Sequence, residues 1–274
     1  MKRPQETPRV SQHSLGDYEA CRRRFALKYK ASRYWPGPQP ADTDPDATGA
    51  IRTGQLFHRM VQQQAMGLDV TGVLAAEAEQ LPKLAQLWRL FDASPHARPK
   101  GRVLTEAPLH FTFQGAPFMV RFDRLVTDGE TWEILDWKTG KTSRAKLETS
   151  FQTRLYRFAL AEAGAVYNQG QPISPERVRM TYWDVQRGRA EEFAYDRASC
   201  DADRAIFAGL ARDVLEPFDE TLADDPAFPR TLNRQVCATC PFDSYCHPVA
   251  LAPTEPQAAQ QLPLPLFTLD PEVS

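Results

Sequence analysis

The sequence predicts an α/β protein, a core of strands with a helical surround. Three observations carry this reading. Apolar residues follow helical spacing, then strand alternation, then helical spacing again along the chain. An Asp-Gly pair, Asp128-Gly129, separates two strand-like runs near the middle, a strong hairpin signal. The composition is that of an ordinary globular protein, 42% apolar and 25% charged over 274 residues.

The elements follow in order. Ser11-Gln12-His13-Ser14 caps a helix running through Leu15, Tyr18, Ala20 and Phe25. Residues 36–50, rich in Pro, Asp and Gly, read as a loop. A helix is predicted from Thr53 to Ala65, and another from Leu74 to Phe91 with an interruption near Pro82. Arg102–Phe113, Pro117–Leu125 and Thr131–Lys138 alternate as three strands. A helix from Lys146 to Ala163 carries Leu147, Phe151, Leu155 and Phe158 at helical spacing. Arg177–Val185 and Ala190–Tyr195 form a hairpin around Arg187-Gly188, and a helix spans Ser199 to Leu215.

Composition also excludes function classes. No run of about 18 apolar residues exists, so no membrane span is expected. The opening MKRPQETPRV lacks the apolar stretch of a secretory leader, which makes the expected location cytoplasmic. A net charge of −2 argues against nonspecific coating of nucleic acid, so polyanion binding has to come from local patches. Many of the 23 prolines fall in residues 1–10, 36–45 and beyond 248. Residues 1–10 and 249–274 are therefore expected to be disordered, with one folded domain over 11–248.

The hairpin carries the chemistry. With Asp128-Gly129 as a two-residue turn, 127 faces 130 and 123 faces 134. Asp123 then sits diagonal to Asp136 on one face of the sheet, about 7–8 Å away at Cα. Lys138 lies on that same face, two residues beyond Asp136. Two carboxylates at that distance can share a magnesium or manganese ion, and an ammonium beside it can hold a phosphate oxygen or orient water. That combination suits phosphodiester hydrolysis. An Asp-x-Lys pair at a strand end is also the pattern of an exposed salt bridge. His58 on its helix, and Gln152 with Tyr156 at i,i+4 on the helix after the hairpin, add polar groups with their own surface or core readings. Glu106, on the preceding strand, ranks below these.

Taken together, the segments GQLFH ending at His58, VRFDRL with Asp123, ILDWKTGK with Asp136 and Lys138, and QTRLY with Gln152 and Tyr156 resemble the PD-(D/E)xK nucleases. They resemble the RecB-like branch in particular, which includes the AddB nuclease and the CRISPR-associated spacer-acquisition nucleases. The resemblance covers residues 11–248 and implies a restriction-endonuclease-like core, a mixed central sheet flanked by helices. It implies His58, Asp123 and Asp136 as metal ligands, with the Trp137 carbonyl as a fourth. It implies Lys138 as the catalytic lysine, and Gln152 and Tyr156 as the substrate-side motif.

Five cysteines in a chain without a leader favour metal or cluster ligation over disulfides. The resemblance extends to the iron–sulfur members of the branch. It implies a [4Fe-4S] cluster held by Cys21 and by Cys237, Cys240 and Cys246, clasping the two ends of the domain, with Cys200 unligated. Zinc on the same four thiolates is the alternative. The basic run Arg22-Arg23-Arg24, with Lys28, Lys30 and Arg33, reads either as a channel for single-stranded DNA or as a solvated helix face.

In the tail, Gln261-Leu262-Pro263-Leu264-Pro265-Leu266 looks like the bacterial sliding-clamp binding motif, with Gln261, Leu262, Leu264 and Leu266 as the docking residues. No GxxxxGK[ST] phosphate loop is present, so unwinding would need a separate helicase. The expected function is a metal-dependent deoxyribonuclease acting on single strands or DNA ends in repair, recombination or foreign-DNA processing. A noncatalytic iron–sulfur DNA-binding or scaffold subunit, a zinc-stabilised interaction module, and a nuclease of CRISPR spacer acquisition are the alternatives.

Overall fold

The computed structural model describes residues 7–33, 45–77, 79–140, 142–222 and 225–247. The tail motif at 261–266 lies outside the described residues, as do residues 1–6 and 34–44.

Helices α1 (Gln12–Ala20) and α2 (Arg22–Phe25) run into a π-helical turn, Ala26–Lys30, and are followed by α3 (Pro45–Ala65), α4 (Thr71–Glu77) and α5 (Pro82–Asp92). Strands β1 (Arg102–Phe113), β2 (Ala116–Thr127) and β3 (Trp132–Lys138) come next, then α6 (Arg144–Thr149) and α7 (Phe151–Ala163). Strands β4 (Val178–Asp184) and β5 (Arg189–Ala194) precede α8 (Arg197–Leu215) and the short α9 (Arg234–Ala238) and α10 (Asp243–Cys246).

Local chemistry explains where elements begin and end. Ser11 accepts from the Ser14 N–H and Ser14 Oγ from the Ser11 N–H, a reciprocal cap that starts α1. Several helix boundaries differ from expectation. Helix α3 already includes Pro45–Arg52, part of which falls in the predicted loop. The single helix expected over 146–163 is two. Ser150, extended at ψ 142°, ends α6 and caps α7 through its hydroxyl on the Thr153 N–H. Pro82 likewise opens α5 instead of kinking one longer helix.

The five strands form one mixed sheet in the order β1-β2-β3-β4-β5. β3 and β4 are parallel, and the other pairs are antiparallel. The predicted hairpin register is off by two residues. Thr127 pairs with Trp132, Leu125 with Ile134, and Arg124 with Leu135. The turn is longer than two residues because the Asp128 carboxylate accepts from the Glu130 and Thr131 N–H groups, while Thr127 Oγ1 donates to the Thr131 carbonyl. A shift of two leaves every side chain on its face. It moves Asp123 from diagonal to Asp136 to level with it, one step past the last paired residues.

Adjacent residues of β3 serve opposite faces, and two cores result. Ile134 joins Phe118, Phe122, Phe158 and Phe207 between the sheet and α7 and α8. Leu135 and Trp137 join Phe57, Leu84, Trp88 and Phe91 between the sheet and α3 and α5. Each such large apolar side chain contributes about 1.5–3 kcal/mol by leaving water. β3, buried along nearly its whole length, is the central strand on which both layers rest.

Candidate active site

β2 and β3 separate after Arg124 and Leu135, and the carboxylates of Asp123 and Asp136 stand at the fork. The Trp137 N–H, freed from the ladder, donates to Asp123 Oδ2 at 3.3 Å. Helix α3 brings His58 to the same gap. Its Nδ1 lies 3.2 Å from Asp123 Oδ2, and its Nε2 lies 3.1 Å from the Trp137 carbonyl. Gly54, one turn before His58, is where α3 passes the Thr139 side chain. A Cβ there would meet Thr139 Oγ1 at 2.9 Å.

Helix α7 closes the other side. Gln152 Nε2 donates to Asp136 Oδ1 at 2.5 Å, and its Oε1 accepts from Lys138 Nζ at 3.0 Å. Lys138 Nζ also lies 2.8 Å from Asp136 Oδ2 and 4.9 Å from the centre of the Tyr182 ring. Tyr182 is the β4 partner of Asp136 and is anchored by a 2.8 Å hydrogen bond with Thr153 Oγ1. Tyr156 packs edge-on against Phe122, and its hydroxyl donates to Gln12 Oε1 of α1 at 2.9 Å.

The electrostatics follow from crowding anions in a dry place. Burial, with the charge of Asp123, pushes the Asp136 carboxyl up to about 6 against the pull of Lys138. Burial works against a charged His58, but the Asp123 hydrogen bond and the charges of Asp123 and Asp136 outweigh it and raise its pKa. Both ring nitrogens face acceptors, so the doubly protonated ring satisfies the geometry. Burial and the two carboxylates also hold the Tyr156 phenol protonated. A site that attracts protons this strongly is suited to a hard cation. Asp136 Oδ2 has no well-aligned hydrogen bond, which leaves it lone-pair capacity for an ion. Oxygen donors and one imidazole form a donor set that fits magnesium or manganese.

Thus Asp123, Asp136, Lys138, His58, Gln152 and the Trp137 backbone converge. Tyr156 stands one layer back, bonded to Gln12 and not to the carboxylates. Reading the sequence missed Gln12, Tyr182 and Glu106's placement. Glu106 falls between the paired positions Thr105 and Ala107, level with Asp123, at φ +48°. Burial and Asp123 raise its carboxyl pKa, and Arg121 Nε pairs with it at 3.1 Å. Positive φ at a glutamate in mid-strand has no sequence signal.

The cysteines meet elsewhere. Cys21, at the end of α1, lines one pocket with Cys237, Cys240 and Cys246. Burial and neighbouring thiols raise the pKa of Cys240 and Cys246, while the charges of Arg24 and Arg23 respectively oppose the rise. Four thiols on one pocket fit a tetrathiolate-held group, a [4Fe-4S] cluster or zinc. Cys237 also has Asp243 and His247 beside it, with all three ligand atoms within 4.8 Å of one another. Cys200 is buried apart from them.

The basic run divides between buried cations and exposed ones held in ion pairs. Arg23 and Lys30 are buried, Arg24 and Lys28 pair with Asp17, Arg22 with Asp213, and Arg33 with Glu220. Arg24 and Lys28 thus pair within the N-terminal helices, while Arg22 and Arg33 reach residues near the C-terminal end of the chain. No helix among the described residues is long and apolar enough to cross a membrane.

In overall shape the chain is similar to a protein from Eubacterium rectale described as a candidate exonuclease. That pair shares 8% identity over 76% of this chain and 80% of that one, with a TM-score of 0.49. It is also similar to SSO0001, at 14% identity over 89% and 88% of the two chains, with a TM-score of 0.36. No curated protein matches it. The model of one family, the PD-(D/E)XK nuclease superfamily, matches residues 9–247 and so takes in both layers, the fork in the sheet and all five cysteines, and to that superfamily the chain belongs.

Proposed function

We propose that this chain is a magnesium- or manganese-dependent deoxyribonuclease of the RecB-like branch, an exonuclease acting on single strands or DNA ends. The observation that supports it most is the meeting of Asp123, Asp136 and Lys138 with His58 at the fork between β2 and β3. His58, Asp123, Asp136 and the Trp137 carbonyl would hold the ion. When bound, such an ion neutralises the scissile phosphate and lowers the pKa of its water. Lys138 holds a nonbridging phosphate oxygen and orients the attacking water. Gln152 fixes the lysine by accepting from Nζ while donating to Asp136. Tyr156 stays protonated behind them and supports the substrate side.

Cys21, Cys237, Cys240 and Cys246 hold a [4Fe-4S] cluster in this reading, clasping the N-terminal helices to the C-terminal segment. The protein works in the cytoplasm, in DNA repair, recombination or foreign-DNA processing, CRISPR spacer acquisition included, with a separate helicase where unwinding is needed. Gln261, Leu262, Leu264 and Leu266 dock a sliding clamp. Equal clamp recovery by wild type and a Gln261→Ala/Leu266→Ala variant would remove that last element.

A time course on end-labelled single- and double-stranded DNA tests the reading. Magnesium or manganese should support progressive loss of label from an end, and chelation should stop it. Intact substrate with either metal would overturn it.

A further inference from the structure

Arg124 follows Asp123 in β2, so its side chain leaves the opposite face of the sheet. It is only 1% exposed. Among the described residues no carboxylate pairs with it. Its Nη1 donates to the His96 carbonyl at 2.7 Å and the Ala97 carbonyl at 3.5 Å, and its Nη2 to the Val61 carbonyl at 3.4 Å. The guanidinium lies 5.3 Å from the centre of the Trp137 ring and 5.9 Å from that of Phe91. Burial lowers its pKa to about 10.

A lone cation buried among carbonyls and rings is a poor way to fill a core, and an aliphatic side chain of equal volume would cost less. A planar guanidinium, however, can join segments that an aliphatic chain cannot. Val61 lies three residues beyond His58 on α3. His96 and Ala97 lie within the loop that joins α5 to β1. Trp137 gives its carbonyl to His58 and its N–H to Asp123. One side chain thus fixes the helix carrying His58, the residue holding both His58 and Asp123, and, through the backbone, Asp123 itself.

We propose that Arg124 is a positioning residue: it sets the spacing of His58 against Asp123 and the Trp137 carbonyl, and so sets the affinity of the site for its divalent ion. This rests on the reading of those three groups as ion-holding.

The test compares wild type, Arg124→Met, Arg124→Lys, His58→Ala and Arg124→Met/His58→Ala as full chains. Three quantities are measured: melting temperature, Mn²⁺ binding by calorimetry without DNA, and kcat and KM on single-stranded DNA. Arg124→Met should melt within about 3 °C of wild type or above it, since a buried unpaired charge is gone. It should bind Mn²⁺ roughly 10–100-fold more weakly, the usual effect of losing a group that orients a ligand. Its kcat at fixed Mn²⁺ should fall with KM little changed, and Arg124→Lys should lie between. The double variant should bind Mn²⁺ no more weakly than His58→Ala alone.

Wild-type Mn²⁺ affinity in folded Arg124→Met overturns the proposal, as does a double variant whose losses add. If Arg124→Met does not fold, a folded Arg124→Lys with wild-type affinity overturns it equally. A wild type that binds Mn²⁺ no better than His58→Ala defeats the reading of the site itself, and the proposal with it.

Discussion

His58 Nδ1 stands 3.2 Å from Asp123 Oδ2, and its other nitrogen faces the Trp137 carbonyl. Without an ion the histidine ring bridges the two groups with protons. With an ion it would have to give up a proton to become a ligand. Because its pKa is raised by Asp123 and Asp136 against the cost of burial, that proton is held more firmly than on a free histidine. Mn²⁺ affinity should therefore climb as pH rises through and beyond the ordinary histidine range, with proton release on binding. Calorimetry in buffers of different ionisation enthalpy measures both, and a pH-independent affinity would count against His58 as a ligand.

Asp136 gives a stability prediction with a definite sign. Its folded pKa, about 6, lies above the ordinary aspartate value of 3.8. A carboxyl that prefers its proton in the folded state adds stability below the unfolded pKa, and that stability is lost as pH rises through the folded one. In metal-free protein, Asp136→Asn should match wild type near pH 4 and melt a few degrees higher above about pH 7. The same variant should lose cleavage by at least about 10³-fold. Differential scanning fluorimetry across pH reads the first and a DNA assay the second. A lower melting temperature at pH 8 would contradict the account.

The Gln152 amide bridges Lys138 and Asp136, so its removal should loosen the lysine without removing the charge. Gln152→Ala should lower kcat by roughly 10–100-fold, less than loss of Lys138 itself. Gln152→Glu should restore part of the hold on Nζ but place a further anion against Asp136, and should also be impaired. Steady-state kinetics decide this. A Gln152→Ala enzyme with wild-type kcat would place the residue outside the machinery.

The clasp makes its own prediction. Cys21 and Cys237 are 237 − 21 = 216 positions apart in the chain, and a bridge across so long a loop restrains the ends strongly in the unfolded chain. Cys240→Ser should yield a colourless protein that melts several degrees lower, with faster proteolysis within residues 12–33, because α1 ends at Cys21. A brown Cys240→Ser protein of unchanged stability would remove the four-cysteine reading.

Much of this site was legible because strands have a period of two. The hairpin register was misjudged by two residues, yet Asp123, Asp136 and Lys138 stayed on one face, since an even shift preserves facing. The error came from Asp128, whose carboxylate organises a longer turn than Asp-Gly alone suggests. Ser150 signalled a helix start by residue type but competed with a longer apolar pattern. Arg124 and Glu106 were not legible. The first depends on carbonyls 27–63 positions away, and the second on a backbone angle. The basic run from Arg22 is a different case: its charges are visible in sequence, but Asp17, Asp213 and Glu220, which pair with Arg22, Arg24, Lys28 and Arg33, are recognisable as partners only in space.

The most direct measurement concerns Lys138. It is the charged group at the fork that no ion-binding role requires, so it isolates the chemistry from the metal. Lys138→Met, confirmed as folded and as binding Mn²⁺ like wild type, should cut end-labelled single-stranded DNA at least about 10²-fold more slowly with magnesium. Cleavage by that variant at the wild-type rate would contradict the account.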